Sequence, residues 1–418
     1  MNFNWFLSSK VRQASHMHKH VWKILCAQRD VLSPKAIESV EQALTQIHAV
    51  FAGPLNKPAL DQEMTNLEKV ANEWLKPYPN AGMRENVEVL LVAIAVAMAI
   101  RTFFAQPFKI PTGSMQPTLY GITSNPDFLG TGTGEQNLAP DPDFQIPNGF
   151  MSKILYWFTG VSYYHVTAEA EGSIQTTLDD PKRFLLFNLK QSFVVGSQTY
   201  TVWFPPDRFL QRAGLIDRFG RTNRRVFKPG ESIVKMKSYS GDHLFVDRLT
   251  YNFRRPRRGE IVVFETKDIP LMSHDQQGQF YIKRLVALGG EKVRIGDDRH
   301  LVIDGKRLDS STPHLARVYS FDSQTPPRDS AFSGHVNERT GQVSAGRSGL
   351  APLFPNSEAE FAVPDRHYLV MGDNTVNSSD SRTWGSFARE NVIGRSFMVY
   401  WPFGAQDERA SRFGLTRH

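Results

Sequence analysis

Apolar positions change rhythm twice along this chain. Between Ser33 and Gly53, residues Ile37, Val40, Leu44 and Ile47 recur at helical spacing. That predicts an amphipathic helix with Ser33 as N-cap and Pro34 in its first turn, stopped by Gly53-Pro54. A second stripe, Leu60, Met64, Leu67, Val70, Ala71 and Trp74, ends before Pro77 and Pro79. Together they predict a helical hairpin with a small core of its own. From Glu85 to Pro107 the alternation vanishes. Nothing is polar from Val89 to Ile100, and apolar character resumes at Phe103 and Phe104 after Arg101 and Thr102. A spanning helix wants about 20 apolar residues, and this uninterrupted core is shorter. Arg101, placed to snorkel, and the phenylalanine pair at headgroup depth tip the reading to one transmembrane helix.

After Pro107 the runs shorten. "ESIVKMK", "HLFVDRLTY", "EIVVFET", "YIKRLVAL" and "RHYLVMGDN" are bounded by Gly, Pro, Asn and Asp, and several alternate apolar with polar residues. Half-buried antiparallel strands carry this pattern, so the remainder reads as mainly β. Two stretches, Ser124 to about Asn148 and Ser310 to about Pro355, read as surface loops.

Composition narrows the classes only slightly. The chain has 418 residues and a net charge of +7, which suits an anionic membrane surface and a nucleic acid equally. Cys26 is the only cysteine, so no intrachain disulfide can form, and no metal-ligand spacing surrounds it. No metal or cofactor is expected. The first thirty residues are basic but lack the apolar stretch and cleavage site of a signal peptide, and they read as a solvated basic helix or arm.

The chemistry centres on "FKIPTGSMQPTLYG", where Ser114 follows the apolar run directly. A serine hydroxyl needs a base to become a nucleophile. None of the serines sits in a Gly-x-Ser-x-Gly elbow, and His243, His300 and His367 lie in strand-like runs that suit structural histidines. A lysine can serve instead. Lys283 in "FYIKRLVALGG" is set among Phe280, Tyr281, Ile282, Leu285 and Val286. Holding a lysine neutral at pH 7 costs roughly 4 to 5 kcal/mol from its reference pKa, and burial moves that cost into folding. A third segment, "MGDNTVNSSDSRTWG", brings Asp380 and Arg382 within one loop.

Taken in order, the apolar helix, "IPTGSMQPTL", "SGDHLFVDR" with "RRGEIVVF", "YIKRLVALGGEKV" and "GDNTVNSSDSRTWG" resemble the conserved boxes of bacterial type I signal peptidases. The resemblance covers roughly half the chain. It implies an antiparallel β-sheet catalytic domain, with Ser114 as nucleophile and Lys283 as general base. The oxyanion hole it implies is the Ser114 backbone N–H with the Thr112 hydroxyl. Ser378 would orient the lysine, Asp380 and Arg382 would form a supporting ion pair, and Gly372, Asp373 and Asn374 would shape the loop. Met115 and Tyr281 match the residues flanking the two reacting groups. The implied activity is removal of signal peptides from exported preproteins, after small residues of the Ala-x-Ala type. The partners are then the preprotein and the lipid bilayer, and no nucleic acid is expected.

Signal peptides are cut on the far side of the membrane. The resemblance therefore implies a single-pass protein of the bacterial plasma membrane, with residues 1–84 cytoplasmic, a span at 85–106 and the catalytic domain at 107–404 outside, followed by a tail at 405–418. Insertions fall at about 122–230 and 309–361, and the first of them carries runs that read as additional strands. Two departures stand out, "LGGEK" after the lysine strand and Thr375-Val376 after Gly-Asp-Asn. A soluble Ser-Lys self-cleaving regulator, a decayed membrane scaffold and a processing peptidase with dedicated substrates are the competing readings. The apolar run and box order oppose the first, and the presence of both Ser114 and Lys283 opposes the second.

Overall fold

The computed structural model describes residues 8–54, 56–76, 81–129, 144–175, 180–184, 187–217, 219–320, 333–404 and 411–416. The chain divides into two units, residues 1–94 and 95–418.

In the first unit, both predicted helices form, α2 at Pro34–Ala52 and α3 at Lys57–Trp74. The Ser33 side chain accepts the Ala36 N–H at 3.3 Å, and Pro34 occupies the first turn where no N–H is needed. The basic start is more than an exposed arm. It forms a third helix, α1 at Ser9–Gln28, whose Val11, Ala14, Val21 and Leu25 join Val40 and Leu67 in one core. Helix α4, Ala81–Phe103, is long and apolar enough to cross a membrane, and its apolar side chains stand exposed. It begins four residues before the predicted span and gives way at Ala105 to a strand.

An eight-stranded antiparallel sheet organises the second unit. Its strands are β1 (Ala105–Lys109), β2 (His243–Asp247), β3 (Ile261–Glu265), β4 (Phe280–Leu288), β5 (His367–Met371), β6 (Phe387–Ala388), β7 (Val392–Trp401) and β8 (Gly414–Leu415). The order across the sheet is β1-β2-β7-β3-β4-β5-β6, and β8 pairs with β7. Strand β4 is buried from Lys283 to Ala287, because separate cores cover its two faces. Leu285 packs with Val262, Phe264 and Val370, whereas Val286 and Ala287 pack with Leu369 and Met371.

The first insertion contains the expected strands, Val161–Thr167, Lys182–Phe184, Phe187–Val195 and Gln198–Trp203. Residues 130–143 of the first predicted loop and 321–332 of the second lie outside the described residues. The second stretch is not loop throughout, since Glu338–Ala345 is a helix opened by a capping box between Asn337 and Thr340. Part of the predicted tail is ordered as well: Leu415 and Gly414 pair with Met398 and Val399.

Candidate active site

The turn after β1 is fixed from behind. Ile110, Met115 and Leu119 are buried in a core with Leu244, Val263 and Val399, so the intervening Ser114 faces away from them. Two glycines let other backbone pass beneath. A Cβ on Gly121 would lie 2.1 Å from the Thr112 carbonyl carbon, and one on Gly241 would lie 1.9 Å from the Ile110 oxygen. Asp242 holds both ends of the turn. Its carbonyl accepts the Ile110 N–H at 2.9 Å, and its N–H donates to the Tyr120 carbonyl at 2.8 Å. Its carboxylate accepts the Tyr120 N–H at 2.8 Å.

Arg412 grips that carboxylate from the C-terminal segment. Its Nε and Nη2 donate to Asp242 at 2.8 and 2.9 Å, and its guanidinium lies 4.3 Å from the Tyr120 ring centroid. Arg412→Ala leaves the fully buried Asp242 carboxylate without its cation. It is expected to lower unfolding free energy by about 2–3 kcal/mol in denaturant titration.

Lys283 arrives from β4, 169 residues later, and its Nζ lies 2.6 Å from Ser114 Oγ. Both side chains are buried, at 5% and 6% exposure. Burial pushes the lysine pKa down to about 8; Asp380 pulls it upward, Arg382 downward and Asp373 upward by smaller amounts. The Tyr281 ring, on the same face of the strand, lies 5.5 Å from Nζ. No group of three or more metal-ligating side chains occurs among the described residues. The strand-borne His243 is a structural histidine: it packs on Trp401 and Phe187, and burial pushes its pKa down to about 3.

The downstream loop supports the pair. Asp380 and Arg382, both fully buried, form a two-pronged ion pair at 2.9 and 2.8 Å. Burial works against the Asp380 carboxylate, but the Arg382 charge and the N–H groups of Gly372 and Arg382 outweigh it and hold its pKa below the usual range. Asn374 bonds the serine turn directly, through its N–H to the Ser114 carbonyl and its side-chain amide to the Gly113 carbonyl, both at 3.1 Å. Thr375, a departure from the family pattern, is built into the same network. Its hydroxyl accepts from Arg382 at 2.8 Å and from the Val336 N–H at 2.9 Å.

Ser378 is buried beside Asp380, and its hydroxyl makes no well-formed hydrogen bond among the described residues, so the hydrogen bond expected from it to the Lys283 amine is not seen. Thr112 is exposed on the wall of the cleft. Gly372 must stay a glycine. A Cβ there would lie 2.2 Å from Ser378 Oγ and 2.4 Å from the Ser114 carbonyl oxygen. Gly372→Ala is therefore expected to leave the protein folded and to cost about 10²-fold in kcat/KM, read by steady-state kinetics beside circular dichroism.

Sequence reasoning did not single out Arg284. It points to the opposite face from Lys283 and clamps Asp373 at 2.8 and 2.6 Å, while Thr118 donates to the same carboxylate at 2.6 Å. An arginine next to a buried lysine on a strand was the available signal, because its charge also has to be matched.

The reacting pair opens into a cleft of about 430 Å³ lined by Ile110, Thr112, Phe280 and Ile282 among others. This architecture corresponds to a known group of proteins. The family model described as "Signal peptidase, peptidase S26" matches residues 83–123 and 226–401, just over half the chain, and the chain belongs to that family. A probable signal peptidase I-2 of Synechocystis is 30% identical over 161 residues, covering 38% of this chain and 56% of that one. The chain thus spans just over half the length of that relative. A signal peptidase I of Haemophilus influenzae is 26% identical over 337 residues, covering 64% of this chain and 92% of its own. The crystal structure of an Enterococcus faecalis signal peptidase I is 26% identical, covers 34% of this chain and 97% of its own, and superposes with a TM-score of only 0.23.

Proposed function

We propose that this chain is a membrane-anchored serine endopeptidase that removes signal peptides from exported preproteins after small residues. The observation that carries the reading is the buried Lys283 amine 2.6 Å from Ser114 Oγ at the floor of an open cleft. A neutral Lys283 takes the Ser114 proton as Oγ attacks the scissile carbonyl. The developing oxyanion is met by the Ser114 N–H and the Thr112 hydroxyl. The lysine ammonium then protonates the leaving amine, and a water activated by the same lysine hydrolyses the acyl-serine.

Tyr281 and Met115 fix the two reacting groups by packing, the Asp380–Arg382 pair with Gly372 and Ser378 lines the lysine side of the site, and Asp373 and Asn374 hold the loop against the serine turn. A preference for small residues fits the apolar part of the lining, Ile110, Phe280 and Ile282, which rejects bulk by steric clash. Helix α4 ends at Phe103, eleven residues before Ser114, which supports a bilayer anchor close to the catalytic unit. Because signal peptides are cut on the far side of the membrane, this reading puts that unit on the extracytoplasmic face and the N-terminal helices inside. The anchor would hold the serine where a membrane-embedded signal peptide emerges.

The test uses the full chain in proteoliposomes with a preprotein carrying Ala-x-Ala before the cut. Mass spectrometry should locate a single cleavage after the second alanine, lost in Ser114→Ala. An uncut preprotein, or cutting that survives Ser114→Ala, would sink the assignment.

A further inference from the structure

The family match omits residues 124–225, yet the cleft around Ser114 and Lys283 has two walls of different origin. One is the lysine strand with the segment leading into it, from Asp275 to Lys283. The other is supplied by the insertion, through Leu129, Asp207, Arg208 and Arg212.

The insertion wall is held rigidly. In "FPPDR", residues 204–208, the Phe204 N–H donates to the Leu189 carbonyl at 2.9 Å, and its own carbonyl accepts the Tyr164 hydroxyl at 2.6 Å. The Asn188 amide donates to the Pro205 carbonyl and the Asp207 carboxylate, both at 2.9 Å. Arg212 Nε donates to the Asp207 carbonyl at 3.1 Å. Lys109, the last residue of β1, pairs with Asp207 at 2.9 Å and so keys the insertion to the strand that leads into the serine turn. Phe204 and Arg208 bracket the segment with φ of 50° and 57°, a region that non-glycine residues occupy only under constraint.

Most cations here are already matched. Lys109 is spoken for by Asp207, and the buried Arg212 by Asp127 at 2.5 Å. Arg208 differs: it is exposed in the cleft and has no ion-pair partner among the described residues. The same cleft carries an exposed carboxylate, Asp275, on the segment that leads into the lysine strand. From the rigid mounting and the unmatched guanidinium in the cleft, we infer that the insertion forms one wall of the substrate site and that Arg208 selects an acidic side chain at one position of the bound peptide. A carboxylate pointing toward Arg208 gains a charge-assisted hydrogen bond, whereas a lysine there meets like charge. The inference rests on the peptidase reading above.

The experiment is a substrate series in proteoliposomes of the full chain. Starting from a preprotein with Ala-x-Ala and uncharged neighbours, Glu, Gln or Lys is placed in turn at each of about four residues on either side of the cut. In the wild type, one position should favour Glu over Lys by about three- to tenfold in kcat/KM, the scale of a part-exposed charge pair. Arg208→Glu should invert that preference at the same position, and Arg208→Lys should retain it. An identical ranking in Arg208→Glu and wild type at every position would overturn the assignment. So would a variant whose rates change only with the anionic-lipid content of the vesicles, which would give the arginine to the membrane. If the wild type leaves even the uncharged parent uncut, the peptidase reading falls and takes this inference with it. If Ser114-dependent cutting of the parent persists without a charge preference, the inference falls alone.

Discussion

Lys283→Met is expected to yield a protein that is inactive and more stable than the wild type. Loss of the base should cost at least about 10³-fold in kcat, because residual catalysis then comes only from oxyanion stabilisation and binding. The stability gain follows from burial, which holds the amine pKa at about 8 rather than 10.5. A lowered lysine pKa means that the unfolded chain binds the proton more tightly. The folded state therefore carries its full penalty below pH 8, and the penalty fades as pH rises toward 10.5. It amounts to something on the order of 3 kcal/mol, which methionine removes. Melting curves of the two proteins should be furthest apart at neutral pH and converge in alkali. In the wild type, log kcat/KM should climb with unit slope up to about pH 8 and then level off. A flat profile from pH 6 to 9, or a methionine variant that keeps near-full activity, would rule out lysine as the base.

Arg382→Met should be the most destabilising single change at the site. It strands a fully buried Asp380 carboxylate, and removing one partner of such a pair costs about 3–5 kcal/mol. In the wild type the Asp380 pKa is depressed, so its contribution is complete above the unfolded carboxyl value near 4 and is lost as pH falls through the folded value. In the variant, burial is opposed only by hydrogen bonds such as the Gly372 N–H and no longer by a cation, and protonation relieves it, so the stability difference should narrow in acid. Asp380→Leu combined with Arg382→Met should recover part of the loss. Because the Arg382 charge lowers the Lys283 pKa, the single variant should also shift the pH-rate limb upward. Denaturant titrations at pH 3.5 and 7 would check the first claim, and a pH-rate profile the second.

What the sequence disclosed depended on how local the signal was. Helices α2 and α3 were legible because caps, stripes and stops fall within about twenty residues. The apolar spacing of Val11, Ala14, Val21 and Leu25 in α1 was just as local, but the surrounding charges and histidines drew the eye. Helix Glu338–Ala345 had a capping signature without an apolar stripe, and only Gly341 is buried in it.

Ser114 and Lys283 became readable only as members of an ordered set of boxes, since neither "TGSM" nor "YIKR" is distinctive alone. The supporting bonds were out of reach for a different reason. Arg284 meets Asp373 across 89 residues, Tyr120 meets Asp242 across 122 and Arg412 meets Asp242 across 170. No periodicity encodes such pairings. The reach of the insertion into the cleft was hidden too, because Asp207 and Arg208 sit at a bend whose direction only the packed structure defines.

The position of β7 has a bearing on synthesis. Ser114 follows β1, which pairs with β2, whereas Lys283 lies in the run β3-β4-β5-β6, and β7 is the strand that joins these two halves of the sheet. Yet β7, Val392–Trp401, comes after β1 to β6 in the chain. Chains fold from the N-terminus as they are made, and contacts distant in sequence form late. The serine half and the lysine half can therefore be joined through the sheet only after the strands of both have been made. On the proposed function, the pair that carries the chemistry is expected to assemble only with the closing of the sheet.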